Sequence, residues 1–293
     1  MQTIEGLKRT IGSTRDLQSL VKTMKAMAAV NIRQYEKALL SLKNYDRTIK
    51  MGFRAVCSSR PAVPTKPRSS DGARRGMVVF GSDQGMCGQL NEQIVSFVLQ
   101  TMMARGSDPA STVLMAVGER VPGLLEDSGQ TVETVMSLPA SVAGIAASVE
   151  DILLQIDDWH ETAGVGQVTL FFSRQLPGMA CQPHRLALLP VDPVAIGTGE
   201  KTKWPGRGLP AYTMDWVSLF SSLVRHYLFV SLFRAFAETM ASENASRLVA
   251  MQRAEKNIDE RLAELNAQFH QKRQMSITEE LLDIVAGFEA LST

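Results

Sequence analysis

The sequence is poor in the residues from which metal sites, disulfide frameworks and hydrolytic active sites are built. Its 293 residues include 3 cysteines and 4 histidines. The cysteines, Cys57, Cys87 and Cys181, show no CxxC spacing, which argues against a disulfide framework and a cysteine-rich zinc site and fits a reducing cytoplasm. No HExxH or GxSxG pattern occurs. We therefore expect no metal, no cofactor and no catalytic residue in this chain.

A long uninterrupted apolar run and a secretion signal are also missing. The most apolar stretch, residues 227–233, is followed directly by Arg234, and the N-terminus shows neither an apolar core segment nor a small-residue cleavage site. A membrane-spanning helix needs about 18 or more largely apolar residues in succession. We expect neither a membrane span nor a signal peptide.

Proline and glycine are nearly absent from both ends of the chain. All 12 prolines lie within residues 61–210, and of the 21 glycines only four lie outside that block: Gly6, Gly12, Gly52 and Gly287. In a helix interior, proline costs about 3 kcal/mol and glycine about 1 kcal/mol relative to alanine. Residues 1–60 (the N-terminal arm) and 211–293 (the C-terminal arm) can therefore form long helices, and residues 61–210 cannot.

Both arms carry a narrow apolar stripe with the period of a coiled coil, about 3.5 residues. In the N-terminal arm the predicted seam consists of Ile4, Leu7, Ile11, Thr14, Leu17, Val21, Met24, Ala28, Ile32, Tyr35, Leu39, Leu42, Tyr45 and Ile49. In the C-terminal arm it consists of Leu248, Met251, Ala254, Ile258, Leu262, Leu265 and Phe269. We expect the arms to pair as a long antiparallel coiled coil that projects as a rod, because sixty helical residues extend about 90 Å.

The central block alternates between apolar runs and helical patterns. Apolar runs occur at residues 77–80, 112–117, 131–136, 168–172 and 186–189, and helical patterns at 90–103 and 141–158. Strands separated by helices are typical of a mainly parallel, Rossmann-like α/β sheet. The predicted organisation is an N-terminal helix (1–60), a linker (61–75), a central α/β domain (76–190), a second linker (191–210) and a C-terminal helix (211–293).

A glycine-rich loop at residues 81–88 follows the first apolar run and opens a helix, as phosphate-binding loops do. The GxxxxGK[ST] pattern would require glycine at 86 and lysine at 87, where Met86 and Cys87 stand, and GxGxxG is not matched. A tight turn that needs glycine is the favoured interpretation. A small enzyme that uses this loop is the weaker alternative.

The N-terminal arm is basic, with twelve Lys and Arg against four Asp and Glu, whereas the C-terminal arm has eight against eleven. A basic helix can be a nucleic-acid footprint. However, aromatic residues are scarce before Tyr35 and no reading motif accompanies the charge. The basic surface is better interpreted as facing an acidic protein surface, without nucleic acid.

Four segments, in order along the chain, resemble the gamma subunit of F-type ATP synthases. Residues 18–33 (QSLVKTMKAMAAVNIR) resemble T-Q-K-I-T-K-A-M-x-M-V-A-A-x-K-[ML]-R, and residues 82–91 (SDQGMCGQLN) resemble S-D-R-G-L-C-G-x-x-N. Residues 241–251 (ASENASRLVAM) resemble A-S-E-x-A-A-R-M-x-A-M, and residues 273–287 (RQMSITEELLDIVAG) resemble the signature R-Q-A-x-I-T-x-E-[IL]-x-[ED]-I-V-x-G.

The sequence departs from these patterns at several positions. Gln84 replaces an Arg, Asn31 replaces a Lys and Phe288 stands where Ala is usual. Residues 190–210 lack the usual family pattern. The S-D-Q-G-x-x-G-Q-x-N form of the loop resembles the alternate, sodium-associated F-type ATPases, so the coupling ion, proton or sodium, stays open.

The resemblance implies a non-catalytic central-stalk rotor. Its coiled coil would turn inside a hexamer of alpha and beta subunits, and its α/β domain would bind the epsilon subunit and the c-ring at the cytoplasmic face of the cell membrane, without inserting into it. Contacts with the hexamer would fall on Lys22, Met24, Arg247, Arg273, Gln274, Thr278 and Glu280. The loop at the foot of the stalk would depend on Asp83, Gly85, Cys87 and Gly88. The alternative is a coiled-coil scaffold or tether with a degenerate nucleotide-binding domain.

Overall fold

The computed structural model describes residues 3–59, 74–104, 111–176, 179–198 and 212–291. Two long helices lie at the ends of this sequence and a five-stranded sheet lies between them. In chain order the elements are α1 (Ile4–Ser59), β1 (Arg74–Phe80), α2 (Leu90–Ala104), β2 (Thr112–Val117), α3 (Val121–Asp127), β3 (Thr134–Met136), α4 (Ile145–Thr162), β4 (Val165–Gln175), β5 (Cys181–Leu189), α5 (Pro193–Thr198) and α6 (Trp216–Leu291).

Both long helices begin at a residue that caps the backbone. The Gly6 N–H donates to Oγ1 of Thr3 at 3.2 Å, just before the first turn of α1. At the start of α6, the N–H groups of Val217 and Ser218 donate to Oδ2 of Asp215 at 3.1 and 3.3 Å. Capping oxygens satisfy N–H groups that have no partner within the helix.

The sheet has the strand order β3-β2-β1-β4-β5. The β1–β2, β1–β4 and β2–β3 pairs are parallel, and only β4–β5 is antiparallel. The connection from Gln175 to Cys181 is too short for the helical crossover that a parallel pair needs. The predicted mainly parallel α/β sheet between two long helices is confirmed, with β5 as its antiparallel edge.

The side chains of the sheet alternate between two apolar layers. One layer packs against α2 and α3 and includes Met77, Val79, Leu114, Ala116 and Phe171. The other packs against α4 and α6 and includes Val78, Phe80, Met115, Leu170 and Phe172. Because both faces are covered, the central strands read as continuous apolar runs.

The described chain divides into two compact units, one formed by residues 1–28 and 247–293 and the other by residues 29–246. In the first unit Leu7, Ile11 and Leu265 are buried together. The Gln18 side chain donates to Asp259, and Lys25 pairs with Glu255. Moving along α1 from Gln18 to Lys25, the partner on α6 moves back from Asp259 to Glu255. The two helices therefore run antiparallel, as predicted.

The second unit contains the rest of α1 and the first part of α6, again antiparallel. Asn31 Nδ2 donates to Asn244 Oδ1 at 3.3 Å, and Arg234 pairs with Asp46 at 2.9 Å. Phe53 packs near Val230 in an apolar cluster.

The predicted seam is wrong at two residues, Leu17 and Tyr45. Leu17 is 57% exposed and Tyr45 is 44% exposed. Near these two positions the buried side passes instead through Gln18, four residues after Thr14, and Asp46, four residues after Leu42. Selecting the nearest apolar residue failed because polar residues occupy these seam positions and find polar partners on α6.

Two short helices were not predicted, α3 and α5. Each spans at most two turns, too short to show a helical period. Helix α5 lies within the predicted linker 191–210, while residues 61–73 and 199–211 lie outside the described residues. The predicted domain boundaries therefore stay a prediction.

Judged by length and composition alone, α6 contains one 18-residue window that could cross a membrane, of which 17% is buried. One such window is weak evidence for a span, because ordinary core helices pass the same test. The expected lack of a membrane span stays a prediction.

The seam correction can be tested with two aspartate substitutions. Leu265→Asp places a carboxylate at a position that is 1% exposed, and we expect it to lower the free energy of unfolding by about 3 kcal/mol or more. Leu17→Asp should change it by no more than about 0.5 kcal/mol, since that side chain lies in solvent. Urea titration followed by circular dichroism measures both. An equal loss of unfolding free energy in both variants would show that Leu17 belongs to the buried seam.

Candidate functional site

The loop after β1, residues 81–88, is held by a hydrogen-bond network that closes on itself. The Ser82 N–H donates to Asn91 Oδ1 at 3.0 Å, and Asn91 Nδ2 donates back to Ser82 Oγ at 2.8 Å. Ser82 Oγ donates to the Gln84 carbonyl at 2.9 Å. Asn91 Nδ2 also lies 3.5 Å from Cys87 Sγ. The serine, cysteine and asparagine of the motif are therefore used to fold the loop.

Asp83 connects this loop to two neighbouring segments. Its carboxylate accepts the N–H of Leu138 at 3.0 Å and the N–H of Glu119 at 3.2 Å. Backbone donors of this kind hold a carboxylate in place. Asp83 is thus a structural acceptor that ties the end of β1 to the segments after β2 and β3.

The loop glycines differ in what they provide. Gly88 has a φ of +63°, where side chains are disfavoured. A Cβ at Gly81 would lie 2.0 Å from Val121 Cγ2. At Gly85 it would meet only ordinary contacts, 3.6 Å from an Arg120 nitrogen. Gly81, which the motif comparison did not single out, is therefore as constrained as Gly88; its signal is a glycine directly after a buried strand.

Helix α6 fills the crevice that α/β nucleotide-binding folds use for their ligand. In such folds the ligand binds beside the carboxyl ends of the strands, where the strand order reverses. Here Ser246 Oγ donates to the Cys87 carbonyl in the loop after β1, and Ser242 Oγ donates to the Ser173 carbonyl near the end of β4 at 3.1 Å. Ala241 and Ala245 are also buried. The chain's own helix occupies the place of a nucleotide.

The segment of α6 in this crevice carries an unusual number of buried polar residues. Those exposed by less than a tenth are Glu238, Thr239, Ser242, Glu243, Asn244 and Arg247. Asn244 Nδ2 donates to the Met240 carbonyl at 2.8 Å, and its side-chain oxygen accepts from Asn31. Asn31, one of the departures from the family pattern, therefore has a defined partner across the helix pair.

Glu238 is the buried carboxylate of this segment. It lies 3.5 Å from Arg174, and burial raises its pKa, while the coulombic effect of Arg174 and Arg234 opposes the rise. Glu238 and Arg174 line an open cavity of about 600 Å³, together with Glu36, Leu39 and Lys43. The residues that line this cavity in the described chain include no serine, cysteine or histidine.

The side chains expected to contact a hexamer differ in accessibility. Lys22, Arg273, Gln274, Thr278 and Glu280 are exposed, and Met24 is half-buried. Arg247 is only 8% exposed. The first five can meet a partner directly, whereas Arg247 lies inside the chain. The exposed side chain of Gln84 takes no part in the loop network, so replacing the usual Arg leaves that network intact.

The C-terminal end of α6 exposes an apolar surface that the sequence analysis did not identify. Helix α6 has 76 residues and α1 has 56. The apolar cluster between them in the first unit reaches Phe269. Beyond it, large apolar side chains are 47–75% exposed: Met275, Ile277, Leu281, Leu282, Ile284, Val285 and Phe288. The spacing was visible in the sequence, but the exposure of these side chains in the described chain was not.

Within the described ranges, no group of three or more His, Cys, Asp and Glu side chains could hold a metal ion.

The buried carboxylate predicts a pH-dependent stability difference. A raised folded-state pKa means that folded Glu238 binds more protons than the unfolded residue, whose pKa is about 4.3. Wild-type stability is therefore lost as pH rises from about 4 toward the raised value. We expect Glu238→Gln to become increasingly stable relative to wild type across that window. Thermal unfolding of both proteins at several pH values tests this; a pH-independent difference would contradict it.

Three comparisons with known proteins agree with one another. A sequence model of the ATP synthase family matches residues 3–291. The ATP synthase gamma chain of Heliobacterium modesticaldum is 26% identical over 300 residues, covering 99% of this chain and 100% of the relative. That of Anaeromyxobacter sp. strain K is 28% identical over 302 residues, with the same coverage.

Solved structures show the same fold. A chain from the rotor of the Euglena gracilis mitochondrial ATP synthase matches with a TM-score of 0.62 at 14% identity, covering 94% of this chain and 98% of that one. One from the central stalk and c-ring of the Tetrahymena thermophila enzyme matches with a TM-score of 0.57 at 21% identity, covering 80% and 99%. Together with the family match over nearly the whole sequence, these findings confirm the resemblance seen in the four motifs: the chain belongs to the gamma-chain family of F-type ATP synthases.

Proposed function

We propose that this chain is the central-stalk rotor of an F-type ATP synthase, which couples ion translocation to ATP synthesis or hydrolysis by turning inside a hexamer of alpha and beta subunits. The observation that carries this proposal is the exposed apolar end of α6 in the described chain. Family membership supplies the kind of assembly, and the end of α6 supplies a surface that such an assembly would cover.

An apolar helix end suits a shaft that turns. Several large apolar side chains exposed on one helix are a binding surface, since an isolated helix gains little from leaving them in water. Apolar contacts are non-directional, so they hold a helix in a sleeve without favouring one rotational setting.

The hexamer contacts are assigned to the residues that the family resemblance implies. Five of these side chains are exposed and can contact a partner: Lys22, Arg273, Gln274, Thr278 and Glu280. Met24 is half-buried, so only part of its side chain can contact a partner. Burial of Arg247 favours an indirect role, in which it supports its neighbours on α6.

The α/β domain is assigned to the foot of the stalk, where it would bind the epsilon subunit and the c-ring. The roles of Asp83, Cys87 and Gly88 in closing the loop support a shaping function for these residues. A Cβ at Gly85 would meet only ordinary van der Waals contacts. The surface that partners meet would then be formed by the exposed loop side chains Gln84 and Met86.

By family the chain is a non-catalytic stalk subunit, part of the portion of the enzyme that is peripheral to the membrane sector. We assign the ATP chemistry to the beta subunits and the location to the cytoplasmic face of the cell membrane. The form of the loop around Gln84 supports the sodium-associated branch, and the ion itself would be selected in the c-ring.

The rotor assignment predicts a defect confined to assembly when the end of α6 is made polar. Ile284 is 68% exposed and Phe288 is 75% exposed, so the double variant Ile284→Asp, Phe288→Asp should keep the stability of the isolated chain within about 0.5 kcal/mol. It should bind the hexamer of alpha and beta subunits more weakly, because apolar burial is lost.

The matched control is the double variant Gln268→Asp, Gln271→Asp, which adds two carboxylates at exposed positions of the same helix. Reconstitution followed by gel filtration measures assembly. Normal assembly of the Ile284→Asp, Phe288→Asp variant would contradict the assignment of this surface.

A second prediction concerns the isolated chain. Because α6 fills the crevice and no Walker lysine is present, the purified chain should show no ATP turnover. Phosphate release measured against a Gly85→Ala, Gly88→Ala double variant tests this. Turnover that the double variant abolishes would place an active site in the loop and overturn the non-catalytic assignment.

A further inference from the structure

Two serines of α6, Ser242 and Ser246, hold the helix against the α/β domain. They lie four residues apart, so both face the same side of the helix. Ser242 is fully buried and Ser246 is half-buried. Both hydroxyl groups donate to backbone carbonyls outside α6, at Ser173 and Cys87.

The two acceptors belong to different parts of the sheet. Ser173 lies near the carboxyl end of β4, and Cys87 lies in the loop after β1, the strand beside β4. Strand β5 also contacts the helix, because Cys181 Sγ at its start donates to the Ser242 carbonyl at 3.3 Å. Hydrogen bonds therefore connect the helix to the loop after β1, to the end of β4 and to the start of β5.

Besides the Glu238–Arg174 ion pair at 3.5 Å, the contacts of this segment with the sheet are mainly apolar. Phe236 meets Phe80 edge-to-face with ring centroids 5.0 Å apart, and Ala237, Met240 and Ala241 lie in the same apolar layer. Such contacts resist separation but have little directional preference. Hydrogen bonds weaken steeply when their angle is lost, so the serine bonds hold only in one rotational setting of α6.

Local residue sizes allow the close approach that these bonds need. A Cβ at Gly88 would lie 3.2 Å from Ser246 Oγ, tighter than an ordinary contact. Ala245, next to Ser246, is fully buried. The small residues within 241–246 (ASENAS) therefore allow α6 to approach the loop closely enough for the serine hydrogen bonds.

We propose that Ser242 and Ser246 are positioning residues that fix the rotational setting of α6 on the α/β domain, so that torque passes between the domain and the helix without slip. This inference rests on the rotor function proposed above. It adds that two hydroxyl groups, together with the apolar layer, set the stiffness of this junction.

The test uses the double variant Ser242→Ala, Ser246→Ala in the complete complex reconstituted in sealed vesicles. Ser41→Ala is the matched control, since that exposed hydroxyl bonds only to the Lys37 carbonyl of its own helix. The measurements are the rate of ATP hydrolysis, the number of ions transported per ATP, and amide hydrogen exchange across residues 239–247.

We expect exchange across that segment to become about tenfold faster in the double variant, as the loss of two hydrogen bonds implies. Hydrolysis should stay near the wild-type rate, while the number of ions transported per ATP falls. Ser246→Thr, which keeps a hydroxyl group, should transport more ions per ATP than Ser246→Ala. That rescue separates positioning from simple destabilisation, and the single variants decide the matter if the double variant does not assemble.

Faster exchange with an unchanged ratio of ions to ATP would overturn the proposal, because the bonds would then be structural only. Unchanged exchange would also overturn it, since the bonds would not hold the helix. If the complex that contains the wild-type chain shows no coupled transport, the rotor function fails instead, which is a distinguishable result.

Discussion

The second unit depends on the enclosure of one short stretch of α6, residues 235–245, every one of which is buried. A helix packed on all sides cannot be amphipathic in the usual way, and each polar group in it requires a partner. The stretch meets this constraint in part, with small residues and with the Ser242 and Asn244 side chains, which donate to nearby carbonyls, while Oγ1 of Thr239 has no hydrogen-bond partner among the described residues. The loop after β1, the end of β4 and the start of β5 each supply part of that surrounding. The features that make the sheet look like a nucleotide-binding fold are therefore used to hold a helix.

Much of this architecture could be predicted from local signals. The absence of helix breakers identified both long helices, and alternating apolar runs identified the five strands, because each signal is expressed over many residues. The short helices α3 and α5 gave no such signal. At Leu17 and Tyr45 an apolar residue beside a polar seam position misled the prediction, since spacing alone does not reveal that Gln18 and Asp46 have partners on α6. The motif identified Asp83 and Cys87, but their hydrogen-bond partners could be identified only from the folded structure.

Polar residues in the seam have a specific consequence for the pairing of the helices. If α1 slipped by seven residues along α6, apolar positions would still face apolar positions. The pairs Gln18–Asp259, Lys25–Glu255 and Asn31–Asn244 would all be lost. A few polar pairs can fix the register of a coiled coil at some cost in stability. The two units each contain such pairs, so each favours one alignment.

The unequal lengths of the two long helices affect how the chain orders during assembly. A single helix of about twelve residues without a packing partner is marginal in water, and residues 277–288 of α6 are all exposed in the described chain. Their exposed apolar side chains supply the driving force for order only once another surface covers them. Part of the free energy of docking is then spent on ordering the helix, as in coupled folding and binding. The final turns of α6 would thereby act as a checkpoint, becoming a rigid element only in a correctly formed enclosure.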